Sequence, residues 1–140
     1  MDPVMKTQPN VKQAVPFFMV RNINESLRFY VDGLGFKMTN QWIDEGRLQW
    51  CWLELGNAAM MLQERRKWSD GKVGDGVSIC FTCDDALSIY RDITSRGIQS
   101  KRPFVGNRMW VVEVSDPDGY VLCFESYTDE AEDTVLSDDA

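Results

Sequence analysis

The 140-residue sequence contains no histidine. That absence excludes Ser-His-Asp and Cys-His nucleophilic catalysis, HExxH zinc sites and every histidine-ligated iron or copper centre. Metal binding would have to rest on carboxylates, thiols and carbonyls. Long apolar runs are also missing: the longest, AVPFFMV (14–20), is too short to span a bilayer. The N-terminal stretch lacks the apolar core of a secretory signal. No membrane association is expected, and the chain reads as cytoplasmic. Its four cysteines are irregularly spaced and read as reduced thiols. No basic stripe is present, so nucleic acid is not an expected partner. Neither standard phosphate-cradling glycine loop occurs.

The chain is long enough for one domain with a hydrophobic core of its own. Its net charge of −7 is unevenly spread. The stretch TDEAEDTVLSDDA (128–140) holds six acidic residues and no basic one, which leaves the remainder at −1. Residues 127–140 are therefore expected to be a solvated, disordered acidic tail, with a docking segment as the other reading. Residues 1–13 read as a flexible arm, and residues 14–126 as the folded domain.

Within that domain one pattern occurs twice. VPFFMVRN (15–22) reads as a buried strand. Asn24 is the expected N-cap of a helix through ESLRFYVDGL, which Gly33 and Gly35 end. FKMTNQWI and LQWCWLEL read as strands around the turn DEGR, and GN (56–57) turns into the strand AAMMLQE. The connector RRKWSDGKVGDG follows. VSICFTC is then a strand, Asp84 or Asp85 caps the helix ALSIYRDITSR, and IQSKRPF, RMWVVEV and YVLCFES supply three more strands. The helices match at an offset of sixty: Leu27 with Leu87, Phe29 with Ile89, Tyr30 with Tyr90, Asp32 with Asp92. The chain is an internal duplication, with modules at about 14–64 and 77–126.

A doubled β-α-β-β-β with SLRFYVDGLGF in the first half and DPDGY before the last strand resembles the glyoxalase/bleomycin-resistance/extradiol-dioxygenase superfamily, the vicinal oxygen chelate fold. The likeness spans residues 14–126. It implies an α+β fold, with tandem βαβββ modules forming an eight-stranded, incompletely closed barrel-like sheet and helices outside. It also implies a homodimer whose ligand crevices are shaped by both subunits. In the superfamily's metalloenzymes four side chains from four strands hold one divalent ion. Carried onto this sequence, those positions fall on Val15, Met61, Ser78 and Cys123. Only the thiol is a competent ligand, so the resemblance implies a vacated metal site, no cofactor, and a metal-free small-molecule binder similar to the bleomycin-resistance type. The alternative is a lyase, isomerase or dioxygenase-like enzyme with a non-standard or metal-free site. Glu64, three residues past Met61, is either turned inward by a bulge or a solvated strand end.

Strand alternation gives the remaining candidates. Phe17 and Met19 share the face of Val15. Gln63 shares that of Met61, Cys80 that of Ser78, and Glu125 that of Cys123. Trp50 and Trp52 share one face of their strand, and Trp110 lies in the matching strand of the second half. These are either a stacking wall for a flat or cationic ligand, or filling for a core or dimer seam. Trp68 is either a pocket cover or an anchor of the connector. Glu125 is the best acid-base candidate if the protein is an enzyme, and otherwise a polar recognition group or a solvated strand end. Cys80 and Cys83 form a C-x-x-C whose thiols a strand points to opposite faces, which argues against zinc or redox use.

Overall fold

The computed structural model describes residues 13–65 and 73–138. Trp68 and nearly all of the expected N-terminal arm lie outside the described residues. The elements are β1 (Phe17–Val20), α1 (Ile23–Leu27), β2 (Lys37–Asp44), β3 (Arg47–Leu55), β4 (Ala58–Glu64), β5 (Ser78–Thr82), α2 (Ala86–Ser95), β6 (Phe104–Gly106), β7 (Met109–Ser115) and β8 (Val121–Tyr127). A π-helical segment, Arg28–Gly33, continues α1. The order β-α-β-β-β occurs twice, as the duplication implies.

Each module is one four-stranded mixed sheet, ordered β1-β4-β3-β2 and β5-β8-β7-β6. The first strand runs parallel to the last, and the other neighbours are antiparallel. Among the described residues no strand pairing joins the modules. The eight strands thus form two sheets, not closed into a barrel, rather than one continuous sheet.

Local chemistry sets the boundaries. Asn22, not Asn24, caps α1: its backbone is extended and its side chain accepts a hydrogen bond from the Glu25 amide. Asp85 does the same for α2 through the Ser88 amide. The sixth strand is shorter than IQSKRPF (98–104) suggested and begins where that stretch ends, at Phe104. Pro103 has no N–H for a ladder, and before it the Lys101 amide and Ser100 hydroxyl both donate to the Glu113 carbonyl of β7 without forming a strand.

Alternation sends one face of each sheet under the helices. Cys51, Leu53, Met60 and Leu62 from the first sheet share a single core with Val112, Val114, Leu122 and Phe124 from the second. Each such buried aliphatic side chain contributes about 1.5–3 kcal/mol.

The two quoted motifs meet across the modules. The Tyr30 hydroxyl donates to Asp116 Oδ2 at 2.8 Å, while Asp116 Oδ1 accepts from the amides of Asp118 and Tyr120. Tyr120 stacks on Phe18 at 3.8 Å between ring centroids and donates to the Met19 carbonyl. Asp118 accepts from the Arg21 amide. Gly119, at φ +90, makes this turn possible. Burial and the neighbouring Asp116 push the Tyr30 hydroxyl far above the ordinary tyrosine range, so it acts as a fixed donor.

The C-terminal segment differs from the solvated tail expected of its composition. It docks along the free edge of β6: Val105 donates to the Thr134 carbonyl, and its own carbonyl accepts from Asp133. Phe104 bridges Val135, Leu136 is buried, and Arg102 pairs with Asp138 and donates to the Leu136 carbonyl. Arg102 thus offsets part of the acidic charge, and the segment covers an edge that would otherwise be open.

Candidate functional site

The faces turned away from the helices carry most of the sequence-derived candidates. In the first sheet Phe17 pairs with Met61 and Met19 with Gln63, while Trp50 pairs with Gln63 and Trp52 with Met61. All six side chains therefore leave the same face. That face is open: Phe17 is 45% exposed, and the other five are half-buried. Trp42, which the sequence reading did not single out, pairs with Trp50 and is 52% exposed. Register shifts between Met38 and Asn40, and between Trp42 and Ile43, hid it from simple alternation. The matched lengths of the strands around DEGR were the available signal.

In the second sheet Cys80 pairs with Cys123, Thr82 with Glu125, and Ser78 with Val121. Glu113 lies opposite Cys123 and Val111 opposite Glu125 across the β7–β8 ladder. This face is polar where its counterpart is aromatic. Glu113 forms an ion pair with Lys101 at 2.7 Å. The half-buried Glu125 carboxylate has no hydrogen-bond or ion-pair partner among the described residues. Burial, followed by the nearby Cys80, Glu113 and Glu125, pushes the Cys123 thiol up to about 12, so it is protonated at neutral pH.

Three candidates stand elsewhere. Trp110 pairs with Ser126 and packs against the core, on the helix-covered face and away from Trp50 and Trp52. Val15 precedes β1, and Met61 takes Phe17 rather than Val15 as its partner. Glu64 is neither turned into the open face nor solvated. Its carboxylate accepts from the Ile23 amide and from Arg47, which makes it a support for the start of α1.

A groove of about 660 Å³ runs between the β3–β4 turn and β5, bordered by Leu55, Ala58, Cys80, Phe81 and Ile89. It lies where the modules meet, a place that reading each strand separately does not indicate.

A sequence model of the Glyoxalase/Bleomycin resistance protein/Dioxygenase superfamily matches residues 12–124. The chain belongs to this superfamily. No curated protein matches the sequence. Among solved structures, the chain is similar to a bleomycin resistance determinant encoded on the transposon Tn5, with TM-score 0.67 and 24% identity over 84% of this chain and 98% of that one. It is also similar to a putative glyoxalase family protein from Bacillus anthracis, with TM-score 0.65 and 16% identity over 86% and 100% of the two chains. TioX from Micromonospora sp. ML1 gives TM-score 0.68 and 14% identity over 84% and 100%. At these identities the likeness concerns the fold.

The superfamily's metal ligands do not fit the residues here. Val15 offers no donor and Met61 only a thioether, which hard divalent ions do not favour. Ser78 is a neutral hydroxyl, and Cys123 is held as a thiol. The structure places Val15 and Met61 with one module and Ser78 and Cys123 with the other. Among the described residues no three His, Cys, Asp or Glu side chains gather into a possible metal-binding group.

Proposed function

We propose that this superfamily member is a metal-independent binder of aromatic, cationic small molecules, and that it works as a homodimer. The observation that carries the reading is the pairing of two unlike open faces in one chain: an aromatic one with Phe17, Trp50 and Trp52, and a carboxylate-bearing one with Glu113 and Glu125. A planar cation would stack on the indoles and lie against the carboxylates. Met19, Met61 and Gln63 would fill around it on the first face, with Ser78, Cys80 and Cys123 on the second.

The dimer follows from exposure. Phe17, Trp42 and Ile43 are 45%, 52% and 53% exposed, an apolar surface that a monomer would leave in water. The aromatic face of one chain set against the polar face of another would enclose a crevice and cover it. Sequestration of such a compound is the corresponding role, and the similarity to a bleomycin resistance determinant supports it.

Proflavine, a planar aromatic cation, tests the ligand class by quenching of tryptophan emission after EDTA treatment. Binding that Trp50→Ala and Glu125→Gln each weaken at least tenfold supports the reading. Equal or tighter binding of an aromatic sulfonate would contradict it.

A further inference from the structure

Cys80 and Cys123 are register partners on the parallel strands β5 and β8. Paired Cα atoms on neighbouring strands are about 4.8 Å apart, and both side chains leave the same face of the sheet. The thiols are neighbours, and Cys80 is among the groups that push the Cys123 thiol up. Cys80 is exposed on the edge strand, Cys123 is buried behind it, and neither is in a disulfide. Cys83 turns its sulfur away, to the Phe81 carbonyl. The pair thus presents two soft donors side by side, reachable from one direction.

Two donors are too few for most metals. Zinc takes four protein ligands in structural sites and three in catalytic ones, and no third ligating side chain joins this pair among the described residues. Trivalent arsenic carrying one organic substituent needs only two sulfurs, because its third bond is already to carbon.

We propose that Cys80 and Cys123 form a bidentate site for a trivalent organoarsenical, R–As(OH)₂. Two S–H and two As–O bonds break and two As–S bonds form. Each thiol proton leaves with a hydroxide as water, and no electrons change hands. The substituent has room in the groove of about 660 Å³ that Cys80 borders, against Leu55, Ala58, Phe81 and Ile89. The site needs neither the aromatic face nor a second chain, so it stands independently of the function proposed above.

Phenylarsine oxide tests it on the full, freshly reduced chain. One equivalent is added, the protein is dialysed, and its intact mass is measured. One adduct per chain is expected, released by 2,3-dimercaptopropanol but retained against a monothiol. Alkylation with peptide mapping should find Cys80 and Cys123 protected and Cys51 and Cys83 unchanged. Cys80→Ser and Cys123→Ala should each lower retention at least tenfold, and Cys83→Ser should leave it unaltered. Protection in the unsubstituted chain decides the matter where a variant does not fold. No adduct, an adduct on another pair, or full retention by Cys80→Ser overturns the proposal.

Discussion

At the scale of single residues, the structure turns on a few buried polar groups whose partners are named. Asp116 is buried and accepts three hydrogen bonds, one of them from Tyr30. Tyr30→Phe would leave one acceptor of a buried carboxylate without its donor, at about 1–3 kcal/mol. Urea denaturation should show that loss at an unchanged m-value, while a Tyr30→Phe protein as stable as wild type would mean the bond is dispensable. Cys123 gives a pH prediction. Its folded-state value of about 12 lies above the ordinary 9.0, so the folded chain holds a proton that the unfolded chain releases first. Its contribution is complete below pH 9 and is lost as the pH rises toward 12. Over that window unfolding free energy should fall by up to ~1.4 kcal/mol per pH unit for this thiol. Cys123→Ala should show a shallower decline than wild type, though not a flat one, since Cys51 is raised to about 11 by burial.

Single residues also show where reading the sequence fails. Asn22 and Asn24 are both cap formers, and only the backbone before Ile23 tells which is extended. Glu64 looks like a strand end until the helix amide that it accepts from is in place. That amide, of Ile23, lies far from Glu64 in sequence.

At the scale of elements, alternation located β4 and β8 well because both are short, regular strands that follow clear turns. It placed Phe17, Met19, Met61 and Gln63 on one face, and Ser78, Cys80, Cys123 and Glu125 on one face of the second sheet. Trp110 was placed by strand matching rather than by alternation, and its face came out differently. The sixty-residue offset that aligns the helices also sets Trp110 against Trp50, yet Trp50 faces Gln63 in the open and Trp110 faces Ser126 under the helices. The modules have drifted by an odd number of residues between helix and third strand, and one residue is enough to flip a face. The C-terminal segment failed for another reason: six acidic residues outweighed the short apolar pair Val135-Leu136, of which Leu136 is buried and Val135 bridges Phe104. Leu136→Ala should therefore cost about 2 kcal/mol, read from the urea midpoint, whereas a disordered tail would give no change. Gly33 belongs at this scale too. A methyl group there would run into the Ile98 side chain, between the π-helical segment and the end of α2, where Arg96 donates to the Gly33 carbonyl. Gly33→Ala should cost about 1–3 kcal/mol, and no change in the urea midpoint would mean that the modules can separate freely there.

For the whole molecule, two motifs some ninety residues apart were enough to recognise the superfamily because their side chains bind each other. Assembly was less legible. The modules share one core on their helix side and, among the described residues, no strand ladder, which leaves both outer faces open. Sedimentation equilibrium at micromolar concentration should give a dimer, and Trp42→Glu should shift it toward monomer by placing a charge on the exposed aromatic surface. A monomeric wild type would remove the enclosed crevice from the account. The central claim, binding on these faces without a metal, is tested most directly by calorimetric titration of proflavine into chelator-treated protein. The account predicts saturable binding near one site per chain, unchanged by added Zn²⁺ or Mn²⁺ and lost in Trp50→Ala. Binding that appeared only with the metal, or that ignored Trp50, would contradict it.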